Sequence, residues 1–202
     1  GDQDRVQIVL SGASIRNEAG PALNIQQADK VFVTLADGTQ NTLADGASYE
    51  LVEGEDEPNA ALYSKADLTI DGTGSLEAYG GNEAAGIGSR ANNNVRNIVI
   101  NGGTITAECT GRDGAGIGGG HSGKAENIRI NGGVVTATGG EWGYGIGSGY
   151  NEYSLLPTTI TITGGTVKAI AGKPGAAIGA LASANDLTMT GGSLTVQKFE
   201  NS

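Results

Sequence analysis

Cysteine occurs once in this 202-residue chain, at position 109. That leaves no partner for an intrachain disulfide and no thiolate set for a metal site, so Cys109 reads as a small buried filler. Histidine also occurs once, at position 121, and a lone imidazole with no nucleophile beside it in sequence makes neither a metal site nor a catalytic pair. Basic residues are scarce: 12 Lys and Arg face 22 Asp and Glu, for a formal charge of −10. Such a balance argues against any partner held by phosphate neutralisation, and nucleic acid is excluded on that ground. No run of about 18 apolar residues exists, so no segment reads as a membrane span. The opening Gly1-Asp2-Gln3-Asp4 has neither the basic nor the apolar part of a leader, and is read as the start of a mature or trimmed chain whose secretion signal has been removed. Aromatic residues number only nine, yet 38% of the chain is hydrophobic, enough for a core and too much for a disordered chain.

What is abundant is glycine, 36 residues, and it comes in phrases. One is Ile100-Asn101-Gly102-Gly103, repeated as Ile130-Asn131-Gly132-Gly133, Ile162-Thr163-Gly164-Gly165 and Met189-Thr190-Gly191-Gly192, with Ile70-Asp71-Gly72 as a shorter copy. The other is Ala85-Gly86-Ile87-Gly88, repeated at Ala115–Gly118, Tyr144–Gly147 and Ala176–Gly179, with weaker copies at Ala61-Leu62 and Ala22-Leu23. Taking Leu10, Leu35, Ile70, Ile100, Ile130, Ile162 and Met189 as equivalent anchors gives a period of about thirty residues. Within it apolar residues alternate, as in Ile98-Val99-Ile100 and Thr104-Ile105-Thr106-Ala107, which is the period of strands and not of helices.

Three short strands per thirty residues make one coil of a parallel β-helix, an all-β solenoid in which like residues stack from coil to coil at ~4.8 Å. Seven partial or full turns fit, beginning near residues 6, 31, 67, 97, 127, 159 and 186, in a rod about 34 Å long. The chain is expected to be one domain over 1–202. Residues 1–66 form a less regular acidic part and 67–202 regular Gly-rich coils. The acidity is concentrated early: residues 1–71 hold 13 acids and 4 bases, the remainder 9 and 8. A column of Asp67, Asn97, Asn127, Thr159 and Asp186 ahead of the first strand reads as a stacked hydrogen-bonding ladder.

The stretch 21–78 resembles a known bacterial family in its Pro21-Ala-Leu-Asn-Ile25, its Ala28-Asp-Lys-Val-Phe-Val-Thr-Leu-Ala-Asp-Gly-Thr39 and its Ala66-Asp-Leu-Thr-Ile-Asp-Gly-Thr-Gly-Ser-Leu76. The family is that of carbohydrate-binding-domain-containing proteins of clostridia and gut anaerobes, with the right-handed parallel β-helix of pectate lyases. The later units, with Gly114-Ala-Gly-Ile-Gly-Gly-Gly120, are similar to repeats of large secreted or surface proteins of the same bacteria. The resemblance implies an extracellular or cell-surface protein that binds plant cell-wall polysaccharide, especially acidic pectin-like chains, with calcium as a companion. It carries no ligand-contact motif that maps onto individual residues here.

Candidate sites follow from the columns. Outward positions of the first strand read Thr34, Thr69, Val99, Arg129, Thr161 and Thr188, and those of the second Glu77, Thr106, Thr136, Lys168 and Thr195. Neither column carries the pair of carboxylates that hydrolysis needs, and Arg129 and Lys168 are the only bases in them, as sugar contacts or as solubilising charges. On the third strand, alternation turns Ala61, Gly86, Gly116, Gly145 and Ala177 outward, a bare strip open to a flat chain unless the protein's own loops cover it. Beside it, Trp142, Tyr144, Tyr150 and Tyr153 gather four of the nine aromatics within twelve residues, either a sugar-stacking platform with His121 nearby or a loop mini-core. Tyr144 replaces Ala of the sibling coils and is expected to be displaced outward. For calcium the candidates are Asp29, Asp37, Asp45, Asp67 and Asp71, as hard oxygen ligands in neighbouring turns, against the reading that Asp-Gly simply makes turns. The run Glu50, Glu53, Glu55, Asp56, Glu57 reads as a solvated loop.

Three functions emerge in order. The first is non-catalytic binding of an extended polysaccharide on one face of the rod. The second is a structural or adhesive spacer whose ends stack on flanking coils of a longer surface protein, and the third a polysaccharide lyase, weakened by the missing base.

Overall fold

The computed structural model describes residues 3–46, 60–151, 158–173, 176–179 and 186–198. All regular structure among them is strand, and no helix there is long and apolar enough to cross a membrane. The strands fall into three parallel sheets that share one rod, a parallel β-helix. The first sheet stacks Arg5–Leu10, Lys30–Leu35, Asp67–Gly72, Val95–Ile100, Ala125–Ile130, Thr159–Ile162 and Asp186–Met189. The second stacks Ser14–Asn17, Gln40–Asp45, Ser75–Gly80, Thr104–Cys109, Val134–Thr138, Thr166–Ala171 and Ser193–Lys198. The third has six short strands, Leu23–Ile25, Leu62–Ser64, Ile87–Gly88, Ile117–Gly118, Ile146–Gly147 and Ile178–Gly179.

The alternation expected from sequence builds the core. Ile98, Ile128 and Ile160 form one inward ladder, Ile70, Ile100, Ile130 and Ile162 a second, and Leu76, Ile105, Val135 and Val167 a third, all buried. Alanines 78, 107, 137 and 169 are the next inward residues of the second sheet, and Ile87, Ile117 and Ile146 close the core from the third. Each buried Ile contributes about 1.5–3 kcal/mol of transfer free energy, and β-branched chains suit a surface buried between parallel rungs. The corner from first to second sheet is the double glycine: Gly133, at φ +85°, supplies a left-handed residue that any β-carbon would strain.

Two expectations need correction. Val33, not Leu35, pairs with Ile70, while Leu35 pairs with Gly72 and Leu10 with Leu35. Thr34 therefore lies beside Asp71, and Phe32 takes the place beside Thr69. Val33 and Leu35 have the same parity, so alternation leaves a two-residue slip undetected. The third-strand strip is also not bare. A β-carbon on Gly86 would come within 2.6 Å of the Glu108 backbone nitrogen, and one on Gly116 within 2.5 Å of the Thr138 nitrogen. These glycines let the third strand press against the backbone of the second sheet, which covers them.

Polar ladders hold the corners. Asn97 Nδ2 donates to Asp67 Oδ1 at 2.8 Å and Asn127 Nδ2 to Asn97 Oδ1 at 3.0 Å, as the stacked column predicts. A second ladder, Asn131 to Asn101 at 2.8 Å and Thr163 to Asn131 at 2.8 Å, runs up the double-glycine corner.

Candidate functional site

The third strands are only two residues long, so their flanking loops decide what this side of the rod presents. Asp113 lies four residues before Ile117 and His121 four after it; Trp142 and Tyr150 stand in the same relation to Ile146 on the next rung. Stacking of the rungs brings the four together. The Trp142 amide donates to the Arg112 carbonyl at 2.7 Å and the Tyr150 amide to the Asp113 carbonyl at 2.8 Å, so each aromatic sits directly on the coil that carries the acid. The Ser122 amide donates to the Tyr150 carbonyl at 3.0 Å, and Asn151 Nδ2 to Ser122 Oγ at 3.0 Å, fixing the second loop pair.

Trp142 and Tyr150 form a ring pair with centroids 5.6 Å apart and planes inclined by 48°, each partly exposed. Below them His121 Nδ1 lies 3.4 Å from Asp113 Oδ2, the carboxylate side chain 9% exposed and the imidazole 34%. With Nδ1 buried against the carboxylate, the solvent-facing part of the imidazole is left to meet a ligand. The corner thus combines two partly exposed aromatic rings with an imidazole backed by a buried carboxylate, the apolar and hydrogen-bonding elements that a sugar ring needs.

Tyr144 does not belong to this surface. It was expected outward but is 1% exposed, and Ala85 and Ala115 at the same position of two sibling coils are buried as well. Burial, with Tyr150 nearby, pushes its phenol up to about 12, and burial likewise pushes the Cys109 thiol up to about 11. Both folded-state values exceed the unfolded ones, 10.0 and 9.0, so the neutral forms stabilise the fold below those values and the contribution is lost as pH rises through the folded values. Thermal melts are therefore expected to fall between about pH 9 and 12, and the combined Cys109→Ala, Tyr144→Phe variant to flatten that decline. An unchanged slope in the variant would show that other groups govern it.

Tyr153 lies outside the described residues, as does the acidic run at 50–57. Arg129 is on the outer face of the first sheet, its Nε donating to Asn131 Oδ1 at 2.7 Å, and is not brought to the aromatic corner. Four of the five aspartates use their carboxylates locally. Asp45 is buried and its Oδ2 accepts the amides of Ala60 and Gly81 at 2.6 and 3.1 Å. Asp37 accepts from Thr73 Oγ1 at 2.6 Å, and Asp71 caps its own turn at the Gly72 amide, 2.7 Å away. Asp67 takes Asn97 and lies 3.9 Å from Arg96 Nε, and the Asp29 carbonyl accepts the Asp67 amide at 3.2 Å. Among the described residues no group of three His, Cys, Asp or Glu side chains converges on one point. Asp113 was missed from sequence. Its symmetric placement with His121 about Ile117 was visible there, but not that both loops fold to one side.

Comparison with known proteins agrees with this architecture. A solved structure described as the polysaccharide lyase-like protein from C. thermocellum, in a gadolinium derivative, superposes with a TM-score of 0.56 at 26% identity, covering 98% of this chain and 74% of that one. A carbohydrate-binding domain-containing protein of Acetivibrio thermocellus is 35% identical over 109 residues, 54% of this chain, and the match takes in 36% of that protein's length. The family model for carbohydrate-binding domain-containing proteins matches residues 1–202. The chain belongs to the family of carbohydrate-binding domain-containing proteins.

Proposed function

We propose that this protein binds an extended polysaccharide outside the cell, without cleaving it, at the corner formed by Trp142, Tyr150, His121 and Asp113. The observation that carries the reading is the partly exposed Trp142–Tyr150 pair set beside the His121–Asp113 contact. Sugar C–H faces stack on the rings while ring hydroxyls meet the imidazole, which the buried Asp113 carboxylate holds in place, and a polymer running parallel to the rod meets successive rungs. The membership of the family supports carbohydrate as the partner. A pectin-like polymer, the choice implied by the resemblance, meets a chain of charge −10 and needs a counter-ion, which is why calcium belongs in the test.

Trp142→Ala and Tyr150→Ala are each expected to weaken retention on an insoluble polysaccharide by about 10- to 100-fold, the loss of one stacked ring. Depletion assays on polygalacturonate, cellulose and a neutral xylan, with calcium and then with chelator, read this directly. Equal retention of wild type and both variants would remove the corner from the binding surface. Unsaturated-product absorbance growing with time would overturn the non-cleaving part.

A second reading, the spacer, draws on the last coil. Leu187, Met189 and Val196 stand in register with the inward residues Ile160, Ile162 and Ala169 but remain 45%, 42% and 60% exposed. In that reading a further coil stacks on them, and sedimentation showing concentration-dependent association that Val196→Asp abolishes is its expected signature.

A further inference from the structure

A second opening lies on the other flank of the loop that carries Trp142. The loops leaving the second sheet stack rung on rung: the Glu141 amide donates to Gly111 at 2.9 Å, Gly172 to Gly143 at 3.0 Å, and Lys173 to Glu141 at 2.6 Å. Between this stack and the edge of the second sheet runs a cleft of about 250 Å³ that crosses three coils. Glu108, Thr110, Thr138, Glu141 and Lys173 line it together with Cys109, and glycines supply much of the remaining wall. The volume falls below the roughly 300–1,000 Å³ of a site for a drug-sized molecule, and suits one or two rings of a chain that continues beyond it.

We infer that this cleft is a second carbohydrate subsite and that it selects a neutral chain over an acidic one; the inference rests on the polysaccharide-binding reading above. The chemistry of the lining points this way. Two carboxylates accept hydrogen bonds from sugar hydroxyls, the Thr138 hydroxyl exchanges them, the Thr110 hydroxyl, which donates to the Gly80 carbonyl at 2.7 Å, accepts one, and Lys173 donates one. Glycine walls, free of side chains, let the C–H faces of a ring lie against the backbone. The charges are two negative and one positive on a chain of net −10, so each uronate carboxylate entering the cleft meets a like field, whereas a neutral hexose or pentose unit does not. Burial also keeps the Cys109 thiol, pushed up to about 11, as a neutral wall atom at physiological pH. Glu141 joins the two places: it lines the cleft, and the next residue, Trp142, belongs to the aromatic corner.

The test uses the whole chain with two soluble probes, xylo-oligosaccharide and oligogalacturonate, in low salt with chelator, by calorimetry. Thr138→Trp fills the cleft from an outward position that stacks between Glu108 and Ile170, leaving the inward ladders intact. It is expected to weaken xylo-oligosaccharide by about tenfold, equivalent to 1.4 kcal/mol, with an unchanged melting temperature. Glu108→Gln with Glu141→Gln is expected to raise oligogalacturonate affinity at least about threefold while xylo-oligosaccharide changes little. Unchanged xylo-oligosaccharide affinity in Thr138→Trp would overturn the cleft as a subsite. Wild type binding oligogalacturonate as tightly as xylo-oligosaccharide would overturn its neutral selectivity and leave the polysaccharide reading standing. If wild type bound neither these probes nor the insoluble polymers, the polysaccharide reading and this inference would fall together.

Discussion

Gly118→Ala is expected to cost more than about 4 kcal/mol, a large share of the roughly 5–15 kcal/mol that holds a typical domain folded. Gly118 sits at φ +135°, and a β-carbon there would lie 1.8 Å from the Gly147 carbonyl oxygen of the next rung. The backbone conformation alone costs about 1–3 kcal/mol for a residue with a side chain. The clash adds the rest, because the obstructing atom is backbone and belongs to a column that repeats the contact. Gly88 meets the Gly118 carbonyl at 1.9 Å and Gly147 meets that of Gly179 at 1.9 Å, so relief at one rung is blocked by the next. Gly12 provides the control. It also has a positive φ, +76°, but an added β-carbon meets nothing within 4 Å, so Gly12→Ala is expected to cost only about 1–2 kcal/mol. Urea unfolding followed by circular dichroism separates the two. A Gly118→Ala protein within about 1 kcal/mol of Gly12→Ala would mean that the third-sheet rungs are not stacked this closely.

The same column shows why the repeat was legible and the surface less so. A solenoid writes its coil length into sequence because each rung must place the same inward residues over those of its neighbour. Ile98, Ile128 and Ile160 therefore announce the fold without any tertiary information. Direction is harder. In a two-residue strand such as Ile117–Gly118, alternation has no length over which to act, and Gly116 proves to face the second sheet instead of water. The replacement of Ala by Tyr144 carried the same ambiguity: size alone argued for an outward side chain, whereas Tyr144 is buried, as Ala85 and Ala115 are in two sibling coils.

The aromatic corner was half legible for a related reason. Trp142 and Tyr150 stood out in a chain with nine aromatics, but their partner Asp113 did not stand out among 22 acids. What selects Asp113 is burial and the 3.4 Å approach of His121, which depend on two loops of variable length folding to one side. Arg129, read from sequence as an outward base of the first strand, does lie on that outer face, where its Nε donates to Asn131 Oδ1.

Asp45→Ala is expected to destabilise the protein by about 2–5 kcal/mol, and this prediction separates two roles that the sequence left open for its acidic first third. As a calcium ligand, Asp45 would need oxygen companions, and among the described residues no cluster of three acidic or metal-binding side chains forms. Its Oδ2 instead accepts two amides distant in sequence, Ala60 at 2.6 Å and Gly81 at 3.1 Å, and so ties two coils together at a place 6% exposed. Removing the carboxylate strands two buried N–H groups, each at a cost of about 1–3 kcal/mol. Asp45→Asn keeps an acceptor oxygen but loses the charge-assisted bonds, and is expected to retain about half of the lost stability. Asp37→Ala, which forfeits one exposed bond to Thr73, is expected to cost under about 1 kcal/mol. Chelator is expected to leave the wild-type denaturation midpoint unmoved. A wild-type midpoint that falls with chelator, together with an Asp45→Ala midpoint that does not, would assign Asp45 to a cation. An amide staple requires the opposite pattern, since a hydrogen bond between coils takes no notice of the free calcium concentration.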